Sequence, residues 1–168
     1  ETTYYKLPPN QKNPEGQGIS PGNKLVKKNW PQYYRPDVLG GKTGYTSIAL
    51  NTLVNGARQG DTTLITVILH SNNTQYEDTS RLLDFGFNNF QSVKIADYDQ
   101  TFSNIGKDLK ISDVSTAGGE SLSIDPDSRV VLPKTADFSE TTTSFDYEIP
   151  AGAPDGTIAC VTYSLGDH

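Results

Sequence analysis

The run Leu64-Ile65-Thr66-Val67-Ile68-Leu69 is almost continuously apolar, and Thr74 opens a periodic segment soon after it. A short apolar run of this kind predicts a strand covered on both faces. One cover follows directly. Thr74 with Glu77 three residues on has the form of a capping box, and Thr79, Leu82, Leu83, Gly86, Phe87 and Phe90 recur at helical spacing. The spacing predicts an amphipathic helix over 74–89, its apolar stripe facing the sheet, because burying each Leu or Phe contributes roughly 1.5–3 kcal/mol. Gly86 weakens its last turns slightly.

Upstream, residues 42–46, 49–58 and 62–69 each suit a strand, and Gln59-Gly60-Asp61 supplies a Gly-containing turn between the last two. Together they form an antiparallel meander. Residues 1–36 are rich in Pro, Gly, Asn and Lys and predict long surface loops, with strands over 2–7 and around 24–26. Downstream of Phe90 the pattern becomes short strand candidates at 92–95, 109–111, 121–124, 129–132, 144–149 and 157–163. Turns at Ala117-Gly118-Gly119, Asp125-Pro126-Asp127 and Gly152-Ala153-Pro154-Asp155-Gly156 punctuate them. The expected fold is therefore an α+β portion, an antiparallel sheet with a packing helix over 1–91, followed by an all-β domain over 92–168.

Composition narrows the function. The chain has 168 residues, 34% of them apolar and 20% charged, with no run long enough for a transmembrane helix and no signal sequence at Glu1. The absence of Met leads to the expectation of a processed or excerpted chain. Through Gln91 there are 9 basic and 7 acidic residues, net +2; from Ser92 there are 5 and 13, net −8. That balance argues against nucleic acid as a partner, since phosphate binding needs clustered Lys and Arg. Cys160 alone cannot form an internal disulfide, and with His70 and His168 it makes no metal-ligand cluster. Asp97, Asp99, Asp125 and Asp127 fit turns better than an ordered Ca²⁺ loop. Tyr4, Tyr5, Tyr33 and Tyr34 suit either sugar stacking or cross-strand packing, with packing favoured. Asn72-Asn73-Thr74 matches a glycosylation sequon but is accounted for by helix capping. A structural role is expected for His70 and inert burial for Cys160.

The segment Gly40-Gly41-Lys42-Thr43-Gly44-Tyr45-Thr46 carries the chemistry. Lys-Thr-Gly is the third signature of penicillin-binding proteins and serine β-lactamases, beside Ser-x-x-Lys and Ser-x-Asn. A given tripeptide arises by chance in roughly 2% of chains of this length, so its flanks decide. Asn23-Lys24-Leu25-Val26, Tyr33-Tyr34 and Val38-Leu39 before it, then Leu50-Asn51-Thr52-Leu53-Val54-Asn55-Gly56-Ala57, Leu64 to Leu69, and Leu82-Leu83-Asp84-Phe85-Gly86-Phe87-Asn88-Asn89-Phe90 after it, follow a recognisable order. Over about 23–90 the sequence resembles the low-molecular-mass D-alanyl-D-alanine carboxypeptidases of the penicillin-binding protein superfamily, which carry a β-rich C-terminal domain after this part.

The resemblance implies a serine-type acyl transfer that trims peptidoglycan stem peptides ending in D-Ala-D-Ala, with β-lactams as inhibitors, no cofactor and no metal. It implies that Tyr45 offers its main-chain N–H to the oxyanion and that Lys42 supplies positive charge near the substrate carboxylate. Thr43 would hydrogen-bond that carboxylate, Gly44 would permit close approach, and Thr46 would line the same strand face. Where family members often place a carboxylate-binding Arg, this sequence has Asn88. No Ser-x-x-Lys is present, and Ser71-Asn72-Asn73 follows the Lys-Thr-Gly strand and so cannot serve as Ser-x-Asn. The nucleophile is therefore expected on a missing N-terminal segment carrying both motifs, the chain alone being inactive. The resemblance also implies an extracytoplasmic, membrane-associated protein. A non-catalytic wall-binding or adhesin module and a β-lactamase-like hydrolase are the alternatives.

Overall fold

The computed structural model describes residues 4–99, 110–111, 114–115 and 124–166. The expected turn at Ala117-Gly118-Gly119, the strand over 121–123, Leu109 and His168 lie outside them. The chain divides into two compact units, Glu1–Asn89 and Phe90–His168.

The first unit opens with a small antiparallel hairpin of β1 (Tyr5–Leu7) and β2 (Gln17–Ile19), across which the Tyr4 ring lies on Gly18. Its main sheet is the meander β3 (Val38–Thr46), β4 (Leu50–Gln59) and β5 (Thr62–Ser71), in the order β3-β4-β5. Gly60, at φ +56°, makes the tight turn between β4 and β5, where Gln59 pairs with Thr62. Helix α1 (Gln75–Asn89) follows and buries Tyr76, Thr79, Leu83, Gly86 and Phe87. Gly86 lies directly against Leu64 of β5, whose side chain would have to shift to admit a Cβ there. Leu82 is exposed, and Tyr76, which the spacing did not include, extends the buried stripe into the first turn. At the helix start the Thr74 hydroxyl donates to Asp78 at 2.6 Å, and Ser71 Oγ accepts from the Thr74 amide at 3.1 Å. The cap thus runs through Ser71 and Asp78 rather than through Glu77.

Two further expectations are corrected here. Residues Lys24–Val26 form a 3₁₀ turn, not a strand. Asn23 caps it by accepting from the Leu25 amide at 3.0 Å, which turns Leu25 fully into the core. The strand β5 is covered on one face only. Leu64 and Ile68 pack on the core formed by Leu25, Val38, Leu53, Ala57, Tyr76, Leu83 and Phe87. On the other face Ile65, Val67 and Leu69 are 74%, 53% and 71% exposed. A single helix can cover one side of a sheet, and among the described residues nothing in the first unit covers the second.

The segment before β3 is tied to the helix by charge. Arg35 forms ion pairs with Asp37 at 2.8 Å and with Asp84 of α1 at 2.7 Å, and donates to the Ser80 carbonyl. The hydrogen bond from Arg35 holds the Asp37 carboxyl below its usual range, and the same bond raises the guanidinium's own pKa. Tyr33 stacks between Trp30 and Tyr76, so it packs, and the Lys24 ammonium lies 4.2 Å from the Trp30 ring centre.

In the second unit β6 (Phe90–Lys94) pairs with β9 (Arg129–Pro133), and the two-residue strands β7 (Lys110–Ile111) and β8 (Val114–Ser115) pair with each other. The last pair is β10 (Thr141–Asp146) with β11 (Cys160–Leu165). Both strands are displaced toward their turns' far ends relative to the expected 144–149 and 157–163. A 3₁₀ turn at Phe138–Glu140, capped by Asp137, starts β10 early. Tight turns at Pro150 and Pro154 delay β11. Asp125 accepts from the Asp127 amide and from Ser128, a turn arrangement, and Asp99 accepts from Tyr163 at 2.7 Å.

Candidate active site

The strand β3 is an edge of the three-stranded sheet among the described residues, and it carries Lys42-Thr43-Gly44-Tyr45-Thr46. Register fixes which way each residue faces. Lys42 pairs with Val54, which pairs with Val67, so Lys42 stands on the uncovered face together with Gly44 and Thr46. Thr43 pairs with Leu53, which pairs with Ile68, so Thr43 and Tyr45 belong to the covered face. A side chain at Gly22 would come within 3.0 Å of Thr43 Oγ1, so the loop before the 3₁₀ turn lies directly beside Thr43.

Lys42 is exposed, and its ammonium donates to the Thr43 carbonyl at 2.5 Å. Tyr45 is 68% exposed. The Thr46 hydroxyl accepts from the Ala49 amide at 2.9 Å and so closes the β3–β4 hairpin. Strain collects at this end of the sheet. Leu50, His70 and Asn73 are the non-glycine residues at positive φ among those described, at +52°, +53° and +69°. Leu50 pairs with Thr46, and His70 sits in the bulge where β4 and β5 lose register between Asn51 and Leu53. Asn51 holds the corner by donating to the Ser71 carbonyl and to Asn73. Such conformations cost about 1–3 kcal/mol each and persist where the surroundings over-determine them. His70 is exposed.

Beneath β3 lies a polar support that sequence reasoning missed. Asn55 of β4 is fully buried and accepts a hydrogen bond from Asn23 at 2.5 Å. A Cβ on Gly41 would run into Asn55 Oδ1 and the Val54 carbonyl, so only glycine permits this approach. The signal was present: Asn55 is a polar residue at a position where the alternation Leu53, Asn55, Ala57 demands a buried side chain.

Asn88 is not brought to the strand. It is exposed in the last turn of α1, beyond the contact of Gly86 with Leu64. Leu64 is in register with Ala57 and Val38, at the opposite end of the sheet from Gly44–Thr46. Tyr76, in the first turn, is the helical residue that reaches the Thr43 side, donating to the Gly22 carbonyl at 3.3 Å.

An antiparallel sheet with one packing helix, an open Lys-Thr-Gly edge strand and a β-rich second unit make up a fold shared with part of a solved penicillin-binding protein. The chain is similar to penicillin binding protein 6B from Escherichia coli, with TM-score 0.50 and 20% identity over 92% of this chain. It is also aligned with the D-alanyl-D-alanine carboxypeptidase DacD from Francisella tularensis, with TM-score 0.47 and 19% identity over 91% of this chain. The chain covers 37% of the first structure and 36% of the second. No protein-family model matches the sequence, and no curated protein matches it.

Proposed function

We propose that this chain is the substrate-binding part of a serine-type D-Ala-D-Ala carboxypeptidase, residues 1–91 completing the catalytic domain and 92–168 forming an all-β domain after it. The observation that carries the reading is the Lys-Thr-Gly strand standing open on the sheet edge, with Lys42 on the same uncovered apolar face as Val54 and Val67. A segment bearing Ser-x-x-Lys and Ser-x-Asn would cover that face, and its serine would attack the scissile carbonyl beside β3.

The roles follow from the strand. The Thr43 carbonyl accepts from Lys42, and alternation along the strand turns the backbone groups of Thr43 and Tyr45 to the same side, which this reading takes as the open edge. A backbone N–H so placed can stabilise the oxyanion of the tetrahedral intermediate, a contribution of about 10²–10³ in rate. Lys42 supplies positive charge to the serine network and to the substrate carboxylate, and Thr43 hydrogen-bonds that carboxylate. Gly44 lets the peptide approach, while Thr46 fixes the hairpin that ends the strand. Asn88 draws no support from its position and is left out of this assignment. The peptide ending in D-Ala-D-Ala and the β-lactams are the ligands of this site, and the working location is the bacterial cell surface or periplasm. Among the described residues no helix is long and apolar enough to cross a membrane.

The test is labelling by a fluorescent penicillin. The chain alone should remain unlabelled, and adding a segment with the two serine motifs should yield a covalent adduct on that segment. Labelling of a serine within the chain itself would overturn the proposal. Lys42→Ala in the assembled protein should lower acylation by at least about 10²-fold.

A further inference from the structure

Gly22 stands where a side chain would meet a single atom of the proposed site. A Cβ there would lie 3.0 Å from the Thr43 hydroxyl, with no other heavy atom within 4 Å apart from its chain neighbours. Gly22 is exposed and is not among the glycines at positive φ, so its own backbone does not call for glycine. The corner that carries it is held from both sides. The Tyr76 hydroxyl donates to the Gly22 carbonyl at 3.3 Å. Next in the chain, Asn23 is buried; it accepts from the Leu25 amide at 3.0 Å and donates to Asn55 at 2.5 Å. Asn55 in turn lies against Gly41, the residue before Lys42. Corner and strand are thus fastened to one another, and a side chain at position 22 is not relieved by moving the loop. The Thr43 hydroxyl must give way instead.

We infer that Gly22 is a specificity-determining residue of the acyl-transfer site: carrying no side chain, it leaves the Thr43 hydroxyl free to take the ligand's carboxylate, and so sets the preference for a charged over a neutral end. The inference rests on the proposed carboxypeptidase reading. A hydrogen bond from a hydroxyl to a carboxylate is roughly twice as strong as one between neutral groups and depends steeply on direction, so a displaced hydroxyl loses affinity for the acid in particular. Lys42 and the Tyr45 amide lie beyond 4 Å of a Cβ at position 22. The loss therefore falls on binding of the carboxylate and not on the acylation step.

The experiment joins the chain to a segment bearing the two serine motifs and follows labelling by a fluorescent penicillin over a range of concentrations, beside the same compound as its carboxyl methyl ester. The wild type is expected to favour the acid. Gly22→Ala should raise the half-saturating concentration of the acid several-fold and Gly22→Val by about tenfold, the limiting rate and the labelling by the ester staying as they were. In a Thr43→Ala background Gly22→Val should add nothing, because both changes act on one hydroxyl. Amide spectra of the ¹⁵N-labelled chain should change only around positions 22 and 43. Unaltered labelling by Gly22→Val, an equal loss for acid and ester, a loss confined to the limiting rate, or additive losses with Thr43→Ala would overturn the inference while the labelled wild type upholds the carboxypeptidase reading. So would a spectrum altered throughout the first unit, which would make Gly22 a residue of the fold. A wild type that takes no label would overturn the reading, and the inference with it.

Discussion

The two units are built on different economies of contact. The first packs a 15-residue helix on three long strands and buries a connected core from Leu25 to Phe87. The second relies on two-stranded ladders, and its buried apolar side chains among the described residues are Ile95 and Leu132. Where a helix and a sheet share a core, local periodicity already implies the tertiary contact. Where short strands pair across long loops, the local pattern names candidates without naming partners: β6 begins at Phe90 and meets β9 at Pro133.

The most disruptive way to probe that contrast is Leu83→Ala. Leu83 is fully buried between helix and sheet, so the loss should be about 2–5 kcal/mol, read by chemical denaturation with residue-resolved amide exchange. Protection should fall within Glu1–Asn89; an equal fall in both units would break the division.

Next in size is Asn55→Ala, which strands the buried Asn23 amide. A cost of about 1–3 kcal/mol is expected, and Asn23→Ala added to it should cost less than the sum of the two single changes. Additive losses would show that the pair does not act as a unit.

Smaller effects come from titration, and they differ in sign between the units. Asp37 has its pKa lowered by the Arg35 hydrogen bond, so its contribution is present above the unfolded carboxyl value and is lost as pH falls through the folded one. Asp37→Asn should therefore flatten the acid limb of the first unit's stability. Tyr163 has its pKa raised, first by burial and then by its bond to Asp99. Its contribution is complete below the unfolded phenol value and is lost as pH rises through the folded one, so Tyr163→Phe should flatten the alkaline limb of the second unit. Opposite limbs, followed by unit-specific amide signals, would overturn these assignments.

The smallest effect on stability is expected from Ile65→Lys. With Ile65 74% exposed, the change should stay within about 0.5 kcal/mol for the chain alone. It should nevertheless abolish the penicillin labelling obtained with the added segment, because that segment would cover this face. Unchanged labelling would mean that the face serves some other end.

The fold was legible where periodicity and turn chemistry agreed. The helix was readable from Thr79, Leu83, Gly86 and Phe87, and the β4–β5 hairpin from Gly60. The Lys-Thr-Gly strand was readable as a strand from its residues, and as an edge only through the family resemblance. Lys24–Val26 looked extended because nothing in its three side chains reveals that Asn23 will cap it. The Asn23–Asn55 bond joins positions far apart in sequence: the polarity of Asn55 at a buried position marks one partner, and nothing local names the other.

Sequence by itself determined the alternation of residues along β3, because side chains on a strand must point to opposite faces, and so it separated Lys42 from Thr43 before any packing was known. It also placed Thr79, Leu83, Gly86 and Phe87 in the buried stripe of α1, although it included the exposed Leu82 and left out Tyr76. Tertiary structure alone decided which face of the sheet that helix would take. It thereby left Ile65, Val67 and Leu69 open beside Lys42, and it put Asn88 at the end of the sheet away from Thr43. Those outcomes depend on register between strands and on where the helix lands, and neither is encoded in any single segment of the chain.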